Sequence, residues 1–99
     1  MIVYISHGSQ MVNKKSYEQK DITSAQIRAA RALIRWTAED LAAKAKLGVA
    51  TIRRAEATDG GLQMTVANLA AVRRTLEAAG VEFIFEADGV LGVRLRPMK

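Results

Sequence analysis

The chain reads as a mainly α domain of four helices followed by a C-terminal β-hairpin. Three observations lead there. Apolar residues recur at three- and four-residue spacing across residues 24–79, in runs that open on Ser or Thr. From Val81 the period changes, and apolar and polar residues alternate. Asp88-Gly89 then divides the alternating stretch with turn chemistry.

Each element has its own justification. Order begins near Thr23 or Ser24, with Ser24 as the expected N-cap of SAQIRAARALIRW. Ile27, Ala30, Leu33 and Ile34 make the buried face of this first helix. Thr37 caps a second helix running from Ala38 to about Lys46. Asp40 stands at its third position, as in a capping box, and Trp36 and Leu41 have hydrophobic-staple spacing. Glu39 and Asp40 lie in the first turn, where the helix dipole favours acids. A third helix spans Val49 to Ala57, and Thr58-Asp59-Gly60-Gly61 is loop by composition. Thr65 caps VANLAAVRRTLEAAG, whose stripe is Leu69, Val72, Leu76 and Ala79, with Gly80 as the stop and Val81 as its apolar follower.

In the hairpin, Val81, Phe83 and Phe85 on one strand match Leu91, Val93 and Leu95 on the other. Glu82 and Glu86 can pair across the ribbon with Arg94 and Arg96. A lone hairpin is marginal in water, so it must lie on the helices, on the Ile2–Ile5 patch or on a second copy of the chain. The expected organisation is residues 1–22 as an N-terminal arm with at most a short strand, 23–80 as the helical domain, and 81–99 as a hairpin serving dimerisation. Met11 is a conceivable internal start.

Composition narrows the function. Ninety-nine residues make one domain, and 49% apolar content is enough for a core. A charge of +5 favours an anionic partner, nucleic acid or acidic membrane. No cysteine means no disulfide and no thiolate metal site, which fits a reducing cytoplasm. No apolar run reaches spanning length, MIVYISHGSQ lacks a signal-peptide pattern, and no helix pairs a basic face with bulky aromatics. No membrane partner is therefore expected. His7 has no companions for a metal or a general base, and Ser6 and Ser9 sit in the arm without preorganisation. Glu39-Asp40 is explained by the helix start, and Gly60-Gly61 is not followed by the residues of a phosphate loop. No enzyme, cofactor or metal is expected.

The most informative stretch is WTAEDLAAKAKLGVATIRRAE, residues 36–56: a helix, a short turn and a helix with adjacent arginines. With IRAAR before it, the joint spacing of Ile27, Arg31, Leu41, Ala42, Ile52 and Glu56 resembles the Cro/C1-type helix-turn-helix family, also called the xenobiotic-response-element family. The resemblance covers roughly residues 24–79 and implies a four-to-five-helix domain that lays its third helix in the DNA major groove. It implies an ion pair between Arg31 and Glu56, and a small residue, Ala42, where the two helices cross. It implies DNA contact from Gly48, Val49, Ala50, Arg53 and Arg54 at the start and side of the recognition helix. Thr37, Ala38 and Thr51 then meet phosphates. Arginine can fork onto guanine O6 and N7, and Val49 and Ala50 offer apolar contact to a thymine methyl.

The chain departs from the family pattern at four places. Lys46 and Arg35 stand where glycine is usual, and Gly48 is a second place around which the turn can be rebuilt. Ala38 replaces a common glutamine, and Ala55 a larger aliphatic residue, which thins the packing there. Alone, Arg53-Arg54 would be read as a solvated face; within this motif the reading is DNA contact. Arg73-Arg74 read as solvent-facing, and Trp36 as a core residue rather than a stacking platform. The resulting expectation is a double-stranded DNA-binding transcriptional regulator, in its simplest form a repressor acting as a homodimer on an inverted repeat. The alternatives are an antitoxin holding a partner protein, and a protein–protein adaptor that kept the fold.

Overall fold

Threonine hydroxyls start three of the four helices. Thr23 precedes α1 (Ser24–Ile34), Thr37 precedes α2 (Ala38–Ala45) and Thr65 precedes α4 (Val66–Ala78). Each accepts from the amide three residues on, which satisfies a donor the helix itself leaves orphaned. In α1 and α2 the bond is reciprocated, since the Gln26 and Asp40 side chains accept from the Thr23 and Thr37 amides at 3.0 and 2.9 Å. The computed structural model describes residues 2–5, 21–57 and 64–97. The expected loop at 58–61, and Ser6, His7, Ser9 and Met11, lie outside them.

The cap of α1 is Thr23, not Ser24. Ser24 is buried inside the first turn, and its hydroxyl donates to the Ala55 carbonyl of α3 (Val49–Ala57). Ala55 is itself fully buried. The small residue expected to thin the packing there lets α1 and α3 approach closely enough for this bond.

Both α1 and α2 stop in the same way. Arg35 (φ 59°) and Lys46 (φ 61°) take the left-handed conformation, and the next amides, Trp36 and Leu47, reach back to Arg31 and Ala42 at 3.0 and 2.9 Å. This is the Schellman geometry, with a partly buried apolar residue following each left-handed one. The turn after α2 is therefore not rebuilt around Gly48. Lys46 adopts the strained backbone itself, and α3 begins at Val49 as its pattern predicts.

The sheet is antiparallel in the order β1 (Ile2–Ile5), β3 (Leu91–Leu95), β2 (Val81–Phe85). Val3 pairs with Val93, which pairs with Phe83, and all three pack on the helical core. Glu82 faces Arg94 across the ribbon, with Nε to Oε1 at 2.7 Å, and Arg96 approaches at 3.8 Å. The connection is a five-residue loop, Glu86 to Val90, closed by an amide-to-carbonyl bond of 2.8 Å and turned at Gly89 (φ 89°). The inner face of the hairpin is thus covered by α1 and α4 of its own chain, and β3 is flanked by β1.

The core joins Ile27, Ala30, Leu41, Ala42, Ile52, Val72 and Leu76 with Val81 and Val93. Ile22 belongs to it too, at 1% exposure, so the core begins inside the stretch expected to be an arm. Gln26 is fully buried: its amide nitrogen donates to the carbonyls of Gly92 at 3.0 Å and Ile84 at 3.3 Å, pegging α1 to the sheet. Among the described residues no buried side-chain polar atom lacks a partner.

Candidate nucleic-acid interface

Helix α3 has two sides. Ile52, Ala55 and Glu56 are buried against α1 and α2. Ala50, Arg53, Arg54 and Ala57 are exposed, and their spacing of three, four and seven residues puts them on one stripe. The helix is short, so its presentation depends on what braces its inner side.

The brace is ionic. Arg31 of α1 grips the Glu56 carboxylate with two parallel bonds, Nε to Oε2 at 2.6 Å and Nη2 to Oε1 at 2.7 Å. The third nitrogen, Nη1, donates to the Trp36 carbonyl at 2.9 Å, so one guanidinium ties α1, α3 and the α1–α2 turn together. Arg28 adds a bond to the Glu56 backbone carbonyl. The hydrogen bond to Glu56 holds the Arg31 guanidinium further above its already high ordinary pKa, against the opposing effect of burial. The Arg31–Glu56 pair implied by the family resemblance is thus formed.

The other anticipated residues lie at the start of α2, in the turn before α3 and along α3. Thr37 is exposed at the start of α2, with its oxygen engaged by the Asp40 amide, and Ala38 is half-buried beside it. Asp40 is held below the usual carboxylate range, first by the Thr37 amide and then by the Thr37 hydroxyl. Gly48 is exposed, and its carbonyl accepts the Thr51 amide at 3.0 Å. Its backbone is not left-handed, and an added Cβ would meet only Thr51 Oγ1 at 3.9 Å. Val49 and Thr51 are half-buried, while Ala50, Arg53 and Arg54 are exposed.

One feature of this surface escapes sequence reading. Arg53 is ion-paired through Nη2 to the Glu39 carboxylate of α2, and both side chains are 59% exposed. Glu39 is accounted for by its place in a helix first turn, and nothing in a fourteen-residue separation announces the contact. The signal that exposes it is the packing of α2 on α3, which brings Glu39 of the α2 first turn to Arg53 in the middle of α3.

Arg73 is not the solvent-facing residue its position suggests. It is half-buried, pairs with Glu77 at 3.1 Å and lies over the rings of Phe83 and Phe85 at 5.8 and 5.5 Å. Arg74 is exposed and lines a shallow groove of about 570 Å³ with Trp36, Lys44, Thr75, Ala78 and Ala79. Lys44 Nζ stands 5.5 Å over the Trp36 ring, and Trp36 packs on the core. Among the described residues no three acidic or metal-ligating side chains gather as a metal site, and no helix is long and apolar enough to cross a membrane.

No protein-family model matches the chain, and no curated protein matches it.

Proposed function

We propose that the protein is a sequence-specific double-stranded DNA-binding regulator of the Cro/C1 type, with α3 as its recognition helix and a homodimer on an inverted repeat as its working form. The observation that carries the reading is the two-sidedness of α3. Its inner face is locked by a bidentate, largely buried ion pair, and its outer face presents two arginines on an exposed stripe. A rigid helix with an outward basic stripe, in a chain of net charge +5, is what major-groove reading requires. Phosphates supply most of the affinity, through Thr37, Thr51 and the backbone amides at Ala38 and after Gly48. Arg53 and Arg54 supply the discrimination, with Val49 and Ala50 in apolar contact.

One helix reads only a few base pairs, which motivates the dimer. Among the described residues α1 and α4 cover the inner face of the sheet, and the opposite face, carrying Ile2, Glu82 and Arg94, is the one offered to a second copy. Lys46 keeps the turn and the start of α3 in place, so that substitution gives no support to an adaptor that lost DNA binding. Repression by promoter occupancy is the simplest outcome.

The test is a footprint on the DNA upstream of the protein's own gene, repeated over a salt series. Protection of an inverted repeat, with affinity falling steeply in log–log against salt, is expected. Binding no tighter than to random duplex, or independent of salt, would overturn the reading. Arg53→Ala or Arg54→Ala should each cost roughly 1–3 kcal/mol on the preferred duplex.

A further inference from the structure

Within that DNA-binding reading, we infer that Glu39 is a specificity-determining positioning residue: its carboxylate holds Arg53 in the base-reading pose and keeps it from phosphates. The observation is the Arg53–Glu39 pair itself, which joins the outer stripe of α3 to the first turn of α2. Both side chains are exposed, so the pair adds little to folding, and its consequence lies in where it points the guanidinium. The contact uses one terminal nitrogen of a group with five N–H donors. An acceptor on one edge of the plane fixes its orientation and leaves the other edge able to fork onto guanine O6 and N7.

Glu39 also acts through its charge. It lies within two residues of Thr37 and Ala38, where α2 approaches the DNA backbone in the proposed complex. A long, exposed arginine with no carboxylate beside it swings to the nearest phosphate, which every sequence offers equally. A carboxylate there repels phosphate and competes for Arg53 on all duplexes. On a duplex with guanine in register, the arginine satisfies base and carboxylate together. Glu39 thus lowers affinity for DNA in general and raises the ratio of preferred to random binding.

The arrangement predicts opposite movements in two quantities. Glu39→Ala raises affinity for random duplex by about threefold to tenfold at low salt, since one repulsive charge is gone and one arginine is released. It lowers the ratio of preferred to random affinity by about tenfold, with the loss concentrated at the base pair read by Arg53. Glu39→Gln shows the same directions to a lesser degree, because the amide oxygen still accepts a hydrogen bond. In the Arg53→Ala background, Glu39→Ala changes the ratio no further, because the residue through which it acts is gone.

The experiment is selection from a randomised duplex pool with wild type, E39A, E39Q, R53A and the double variant, followed by titrations on the enriched and a random duplex. Thermal melts of each variant confirm the fold. A wild type that enriches a site, with one base position losing its preference in both E39A and R53A, is the expected result. A wild type that enriches a site whose every position survives E39A overturns the role of Glu39 alone. A wild type that enriches nothing overturns the DNA-binding reading, and the role of Glu39 with it.

Discussion

Helix α3 carries two arginine–glutamate pairs of the same chemistry and opposite surroundings. Glu56 meets Arg31 on the inner side, where the two side chains are 9% and 21% exposed, and the contact is bidentate. Arg53 meets Glu39 on the outer side, where both are 59% exposed and one nitrogen bridges. Burial decides what each pair can do. Inside, a carboxylate without its guanidinium would stay desolvated and unpaired, so the pair fixes the helix. Outside, water replaces either partner at little cost, so the pair steers a side chain without holding the fold.

The largest effect expected from breaking this contrast is at Glu56. Glu56→Ala leaves Arg31 partly buried without its carboxylate and should cost about 3 kcal/mol in a urea melt. A loss no greater than that of Glu39→Ala would erase the distinction. The turn that sets α3 against α2 comes next. Lys46→Gly removes a left-handed lysine and should stabilise the domain by about 1 kcal/mol, net of the entropy glycine loses on folding. A destabilised variant would show that Lys46 contributes contacts that outweigh its strain. Glu39→Ala should move stability by no more than about 0.5 kcal/mol, since its pair is exposed and solvent-screened.

The smallest expected effect belongs to the neighbouring carboxylate, Asp40. Its folded pKa is depressed by the Thr37 bonds, so its contribution is full above the ordinary carboxylate value and is lost as pH falls through the lower folded one. The stability gap between wild type and Asp40→Asn should be steady near neutrality and close in acid. A gap that persists undiminished in strong acid would mean that charge plays no part in that cap.

What the sequence makes legible follows from the range of each interaction. The caps at Thr37 and Thr65, the Asp40 reciprocation and the Gly80 stop are contacts of three or four residues, and composition alone exposes them. The Glu82–Arg94 pairing needs only an alternating pattern and a turn. The Arg31–Glu56 pair spans 25 residues and becomes visible through resemblance to a known spacing. Ile22, Gln26 and the Glu39–Arg53 pair are not legible. Ile22 stands alone between polar neighbours, the partners of Gln26 are carbonyls of the distant sheet, and Glu39 has an adequate local explanation. The one-residue shift of the first cap has the same origin, since Ser24 serves a carbonyl on α3 rather than its own helix.

We propose the outer stripe of α3, with the start of α2, as the surface that meets DNA. Titration of isotopically labelled protein with a short duplex at low salt, followed by NMR, maps the contact residue by residue. On that surface the amides of residues 37–39 and 48–54, and the Arg53 and Arg54 side chains, should shift first and furthest, while the sheet and the Trp36–Arg74 groove stay still. Shifts centred on the sheet or that groove, with α3 unchanged, would rule out α3 as the DNA-contacting helix.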